Sequence, residues 1–110
     1  MFIRLFAYAA NDDEARVVAE NCLGSLSQNI SAVEYTLSEP YWKMDGVYKV
    51  ELTVSFVQDL SDSQFKMFLD DVSDKWTTFG TPVNEYLASD TTEGCEYIRD
   101  GISLINIFMS

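Results

Sequence analysis

Hydrophobic and polar positions alternate most regularly over residues 47–57. One set of alternate positions is apolar or aromatic, namely Tyr48, Val50, Leu52, Val54 and Phe56, and the set between them is polar, namely Lys49, Glu51, Thr53 and Ser55. A period of two is typical of a strand that has one face on a core and the other in water. This run therefore predicts a half-buried strand, and Asp45-Gly46 before it is a turn signal.

Two other segments carry apolar residues at helical spacing. In residues 11–27, Asn11 and Glu14 have the spacing of a capping box at the start of a helix. In residues 61–78, Ser61 and Gln64 have the same spacing. The apolar stripes are Ala15, Val18, Cys22, Leu23 and Leu26 in the first segment and Phe65, Phe68, Leu69, Val72 and Trp76 in the second. We therefore expect two helices that each cover one face of a sheet.

The remaining apolar runs predict further strands at residues 2–8, 30–38 and 83–88, and a hairpin of residues 95–99 and 102–108 around Asp100-Gly101. In the first strand, Phe2, Leu5 and Phe6 do not alternate strictly with polar residues, which indicates burial on both faces of a central strand. In the second strand, we expect Val33, Tyr35 and Leu37 to point inward.

The order of these elements predicts an α+β fold. The simplest packing is a ferredoxin-like βαββαβ sandwich, in which two helices lie on one face of a largely antiparallel sheet, with an extra C-terminal strand or hairpin. The chain has 110 residues, 47% of them hydrophobic, and it contains no repeat or linker. We therefore expect a single domain over residues 1–110.

The charge of the chain narrows its possible partners. Eighteen Asp and Glu face seven Lys and Arg, which gives a formal net charge of -11. Such a field repels phosphate backbones and anionic lipid heads, so we expect neither a nucleic acid nor a membrane as partner. It attracts basic proteins and speeds their association. The alternative, that the acidic residues only keep the domain soluble, stays open at this stage.

The composition offers little for catalysis or metal binding. The chain has no His, and its two cysteines, Cys22 and Cys95, show no CxxC spacing, so we expect no zinc site, no cofactor and no enzymatic activity. The apolar run at the N-terminus is interrupted at Arg4, which favours a strand over a signal peptide. A cytoplasmic protein with two reduced thiols is the simplest expectation.

Recognition of another protein remains, and the sequence offers two kinds of candidate residue for it. Tyr41 and Trp42 lie in a predicted loop, and aromatic residues are enriched at the centres of interfaces, although the pair could equally close one end of the core. The C-terminal half is the more acidic, with ten acidic and three basic residues in 56–110. The acidic candidates are Asp59, Asp62, Asp70, Asp74, Asp90, Glu93, Glu96 and Asp100.

In size, charge, expected fold, acidic groups and the aromatic loop Tyr41-Trp42, the chain resembles bacterial immunity proteins. These proteins neutralise a cognate toxin, including toxins of contact-dependent growth inhibition and other polymorphic toxin systems. The resemblance implies that the chain binds a basic toxin domain, such as a nuclease, and blocks it. Carboxylates would then mimic substrate phosphates towards the Lys and Arg residues of the toxin.

Two other functions remain open. The first alternative is a small ferredoxin-like regulatory or ligand-binding domain that forms a homodimer through its sheet. The second is an acidic mimic of DNA that blocks several DNA-binding proteins. The first predicts a concentration-dependent dimer, and the second predicts binding to unrelated DNA-binding proteins.

Overall fold

Six strands form one antiparallel sheet in the computed structural model, which describes residues 1–109. The strands are β1 (Phe2–Tyr8), β2 (Ile30–Pro40), β3 (Val47–Phe56), β4 (Thr77–Phe79), β5 (Glu85–Ser89) and β6 (Ile102–Phe108). Their order across the sheet is β2-β3-β1-β6-β5-β4. The apolar strand β1 therefore lies at the centre, between the alternating strand β3 and the C-terminal strand β6.

The register of the three central strands places their β-branched and aliphatic residues on one face. Ile3 lies between Leu52 and Ile107, and Leu5 lies between Val50 and Ile105. All of these side chains are fully buried. The predicted inward face of β3 is thereby confirmed, and Lys49, Glu51, Thr53 and Ser55 lie on the opposite face.

Two α-helices cover this apolar face. They are α1 (Asp12–Cys22) and α2 (Asp62–Val72), and a 3-10 helix spans Gly24–Asn29. Ala15, Ala19 and Cys22 of α1 and Phe68 and Val72 of α2 belong to the same buried cluster as the inward side chains of the sheet. The opposite face of the sheet carries no helix in the part of the chain that the structure describes.

Both helices begin where the capping residues predict. The Asn11 side chain accepts a hydrogen bond from the backbone N–H of Glu14 at 2.9 Å. Ser61 and Gln64 form the complete capping box, with 3.1 Å from the Gln64 N–H to the Ser61 hydroxyl and 2.9 Å from the Ser61 N–H to the Gln64 side chain. These contacts satisfy backbone donors that the first turn of a helix leaves without partners.

Both helices end earlier than expected, so the predicted bounds 11–27 and 61–78 are wrong at their C-terminal ends. Beyond α1 the chain continues as the 3-10 helix, in a segment rich in Gly and Ser, which are weak helix formers. Beyond α2, Ser73 is extended, with φ -158° and ψ 155°, and its hydroxyl donates to the Tyr97 carbonyl at 3.0 Å. The Trp76 indole N–H donates back to the Leu69 carbonyl at 2.9 Å, so Trp76 covers the end of α2 from outside the helix.

The predicted C-terminal hairpin is also wrong. Residues 95–99 form no strand, and the isolated bridge between Ile98 and Ser73 lies outside the six strands of the sheet. The strand β6 pairs with β1 and β5 instead. The extra strand pair is β4 with β5, which precedes β6 in the chain, and β4 lies where the sequence predicted the end of the second helix.

One inward position of β2 also differs from the prediction. Val33 and Tyr35 pack against the core as expected. A register shift follows Tyr35, and Leu37 lies opposite Glu51, on the uncovered face. Such a bulge inserts one residue and turns the following side chains to the other face.

The α+β class, the antiparallel sheet and the two helices on one face are as predicted. The strand order differs from that of a four-stranded βαββαβ sheet, because β5 and β4 extend the sheet beyond β6.

Candidate functional site

The uncovered face of the sheet is partly aromatic. Its β1 residues are Phe2, Arg4, Phe6 and Tyr8, since the alternate positions of β1 point into the core. On β6, Leu104 lies opposite Phe6 and Phe108 lies opposite Phe2. The β3 residues on this face include no aromatic side chain, so the aromatic character of the face comes from β1 and β6. The broken alternation of residues 2–8 was the sequence signal for apolar residues on both faces of β1.

A concavity of about 250 Å³ lies on this face, beside the C-terminal end of β1. We call it the sheet-face concavity, and its walls include Phe6, Tyr8, Tyr41, Met44, Asp90 and Leu104. The Tyr41 ring packs edge-on against the Phe6 ring, with 4.8 Å between ring centroids. The Tyr41 N–H donates to the Val47 carbonyl at 2.7 Å, which fixes the loop to the start of β3.

Tyr41 and its neighbour Trp42 have different surroundings. Tyr41 is half-buried as a wall of the concavity, whereas the Trp42 side chain is 83% exposed. The Lys43 ammonium lies 5.0 Å from the centroid of the Trp42 ring. A side chain as large and apolar as Trp, held almost wholly in water, is a typical interface anchor. Neither residue closes the hydrophobic core.

Two acidic loops meet at this end of the sheet, the β2–β3 loop with Asp45 and the β5–β6 connection with Asp90 and Asp100. The Asp90 carboxylate accepts a hydrogen bond from the Tyr8 hydroxyl. Asp100 precedes Gly101, whose carbonyl accepts from the Tyr8 N–H at 2.8 Å, and Asp45 precedes Gly46, whose carbonyl accepts from the Ala9 N–H at 3.0 Å. The first turn of α1 follows directly, with Asp12, Asp13 and Glu14. Asp90 and Asp100 were predicted site residues, whereas Asp45 and the acidic first turn of α1 were not.

A second group of predicted acidic residues lies at the C-terminal end of α2. The Asp74 carboxylate accepts from the backbone N–H groups of Glu96 and Tyr97, each at 3.1 Å, and from the Cys95 thiol at 3.5 Å. These hydrogen bonds, above all that from Tyr97, hold the pKa of Asp74 below its ordinary value. Asp74 therefore fastens the segment around Glu96 to α2.

Asp70 of this group and its neighbour Asp71 form intramolecular ion pairs. The Lys66 ammonium lies 2.9 Å from the Asp70 carboxylate, and Arg99 pairs with Asp71. The Tyr97 hydroxyl donates to the Asp70 carbonyl. Burial, followed by the nearby charge of Asp70, raises the pKa of Tyr97. The acids around the end of α2 thus tie the fold together locally.

The remaining predicted acids are exposed and separate. Asp59 precedes α2, and Asp62 lies in the first turn of that helix. Glu93 lies in the loop after β5. The ten predicted residues therefore divide: Tyr41, Trp42, Asp90 and Asp100 surround the end of β1, Asp70, Asp74 and Glu96 surround the end of α2, and Asp59, Asp62 and Glu93 belong to neither group.

Both cysteines are free, and they differ in burial. Cys22 is 1% exposed, and burial raises the pKa of its thiol to about 12, so it is protonated at neutral pH. The Cys95 thiol lies 3.2 Å from the Tyr97 carbonyl and beside the Asp74 carboxylate. Within residues 1–109, no group of three or more His, Cys, Asp or Glu side chains is placed to hold a metal ion.

No helix in the described range 1–109 has the length and the apolar character needed to cross a membrane. No protein-family model matches the sequence, and comparison with curated proteins and with solved structures gives no significant match.

Proposed function

We propose that this chain is an immunity protein, which binds a basic toxin domain and neutralises it, and that the toxin is a nuclease. The observation that supports this best is the coincidence of three features at one end of the sheet. An apolar concavity, a tryptophan that is 83% exposed and two acidic loops lie together on a chain of net charge -11.

The charge supports the first step of such binding. A surplus of negative charge draws a basic partner towards the chain and raises the rate of encounter. Carboxylates in exposed loops can then take the place of substrate phosphates against Arg and Lys of the partner. Asp90 lines the concavity, and Asp45 and Asp100 are exposed in the loops at the same end of the sheet.

The aromatic residues support the second step. Binding energy concentrates on a few large residues near the centre of an interface, and Trp and Tyr are enriched among them. Trp42 has no partner in the core, and Tyr41 presents one side to the sheet-face concavity. In this proposal, Trp42 inserts into the toxin while the concavity receives a side chain from it.

The proposed function includes an interpretation of the fold. We take the strands β2-β3-β1-β6 and the two helices as a ferredoxin-like βαββαβ core, with β4 and β5 inserted before its last strand. The antiparallel pairing of these strands and the single helical layer support this. An arrangement of this kind leaves one whole face of the sheet free for a partner.

Survival of a host cell tests the proposal. The chain is co-expressed with candidate basic toxin domains, taken first from the products of neighbouring genes, and survival is compared with that of cells that carry the toxin alone. We expect rescue, together with a purified complex whose affinity falls as salt is raised. Cells that die equally in both cases, with no complex at low salt, would rule out the proposal.

The homodimer alternative rests on one specific observation. Strand β2 is an edge strand of eleven residues, and it pairs with β3 alone among residues 1–109, whereas the opposite edge strand β4 has only three residues. A long open edge can add a strand from a second copy. Sedimentation of the pure chain at rising concentration tests this, because a dimer supports the alternative and a monomer throughout contradicts it.

A further inference from the structure

We infer that the sheet-face concavity is a binding site for one arginine side chain of a protein partner. The inference rests on the proposed function and deepens it, since it names the chemical group that this surface recognises. It is carried by a comparison between the concavity and a second site on the same face of the sheet, where the chain binds its own arginine.

The chain holds Arg4 between aromatic rings and a carboxylate on this face. The Arg4 Nε lies 2.7 Å from a Glu51 carboxylate oxygen. The centre of its guanidinium lies 5.8 Å from the Phe2 ring and 5.9 Å from the Phe108 ring. The carboxylate compensates the charge, and the rings attract the planar cation.

The sheet-face concavity repeats these elements further along β1. Phe6, Tyr8 and Tyr41 supply aromatic walls, Met44 and Leu104 supply apolar surface for an alkyl stem, and Asp90 supplies the carboxylate. Its volume of about 250 Å³ is smaller than the roughly 300–1,000 Å³ of drug-sized pockets. A space of this size fits one side chain.

The concavity has no cation of its own among residues 1–109, because none of the seven Lys and Arg lines it. The nearest in the sheet register is Lys49, opposite Phe6, and the Lys49 ammonium lies 3.9 Å from the Glu39 carboxylate. Asp90 is positioned by the Tyr8 hydroxyl and by its own N–H, which donates to the Ser103 carbonyl at 3.0 Å. Its carboxylate is therefore held in place before a partner arrives.

Arginine fits this chemistry better than lysine does. Its guanidinium is planar, stacks on aromatic rings and binds a carboxylate through two parallel hydrogen bonds. An ammonium is a compact, strongly hydrated charge that loses more on entering an apolar space. We therefore expect the concavity to prefer arginine.

Titration of the isotope-labelled chain with Nα-acetyl-arginine amide, followed by NMR of the backbone amides, tests the inference. We expect saturable shifts at Tyr8, Asp90 and Leu104, weaker binding of Nα-acetyl-lysine amide, and no saturable binding of the neutral citrulline analogue. Citrulline that binds as well as arginine, lysine that binds as well or better, or lining residues that do not shift, would each overturn the inference.

A matched pair of variants locates the site. Asp90→Asn is expected to weaken arginine binding about tenfold, because it removes the charge from one carboxylate in the concavity. Glu20→Gln makes the same change of net charge on α1, which lies on the other face of the sheet, and is expected to leave the affinity unchanged. Equal affinity of the two variants for the arginine derivative contradicts the assignment to Asp90. The comparison of the arginine, lysine and citrulline derivatives uses the native chain and needs neither variant.

This test separates the inference from the proposed function. Rescue of the host without arginine binding at the concavity refutes the inference alone. Arginine binding without rescue refutes the immunity function and leaves the chemistry of the concavity in place.

Discussion

At the scale of single residues, Asp74 shows how an acidic side chain can serve the fold. Its carboxylate accepts two backbone N–H groups, from Glu96 and Tyr97, and these lie more than twenty residues further along the chain. A charged acceptor of this kind is stabilised in its ionised form, which is why the pKa of Asp74 is lowered. The segment around Glu96 forms no strand, and this contact is one of those that join it to the end of α2.

Replacing Asp74 by Asn should lower the free energy of unfolding at neutral pH, as measured by urea denaturation. Because the folded-state pKa is depressed, the contribution is complete above the ordinary Asp pKa of about 3.9. It declines as the pH falls through the lower folded-state value, so the difference between the native chain and the variant should shrink in acid. Glu93→Gln, in an exposed loop, is the control and should change little. A difference that grows in acid would contradict this role.

Some candidate site residues could be predicted from the sequence, and others could not because only strand pairing brings them together. Tyr41 and Trp42 stood out because aromatic residues in a polar loop need an explanation. Phe6, Tyr8 and Leu104 could not be recognised as neighbours of that loop, since only the pairing of β1 with β3 and β6 brings them together. The binding role of Asp74 remains a prediction, and its structural role was invisible because its partners are distant in sequence.

At the scale of elements, helix starts were predictable and helix ends were not. A capping box is local, since Ser61 and Gln64 are three residues apart. The end of α2 depends on Ser73, which leaves the helix to bond with Tyr97 and to bridge Ile98. Nothing within residues 61–78 signals that contact. Because Ser73 contacts Tyr97 and Ile98, residues 95–99 pack against the end of α2 and do not form the predicted hairpin strand.

The cap of α2 gives a prediction at this scale. Ser61→Ala removes the acceptor for the Gln64 N–H and should destabilise the protein by about 1 kcal/mol in chemical denaturation. Asn21→Ala, an exposed change near the end of α1, is the control and should be neutral or slightly stabilising, because Ala is the better helix former. An unchanged stability in Ser61→Ala would mean that the capping box contributes nothing to the fold.

At the scale of the whole molecule, the surplus of negative charge acts on stability as well as on binding. Eighteen carboxylates on 110 residues repel one another, and the folded state brings them closer together than the unfolded chain does. The loops of Asp45, Asp90 and Asp100 and the first turn of α1 converge at the end of β1. The linear sequence does not show this convergence, which brings acids of separate segments to one end of the sheet.

Added salt should therefore raise the melting temperature of the isolated chain. The repulsion is screened over a Debye length of about 10 Å at 0.1 M ionic strength. The double variant Asp45→Asn/Asp100→Asn removes two charges from the acidic end and should show a higher melting temperature in low salt and a smaller response to salt. A melting temperature that falls with salt would show that attractive ion pairs dominate instead.

The proposed immunity function requires that the end of β1, with its exposed tryptophan, docks a basic partner. The dissociation constant for the toxin domain that the chain neutralises in the survival test checks this most directly, when it is measured for the native chain, Trp42→Ala and Met67→Ala. Met67 is 69% exposed on α2 and serves as a matched apolar truncation elsewhere on the surface. We predict that Trp42→Ala weakens binding by about 2 kcal/mol, or roughly thirtyfold, at unchanged stability, while Met67→Ala binds like the native chain. Equal affinity of all three, or a loss confined to Met67→Ala, would contradict the account.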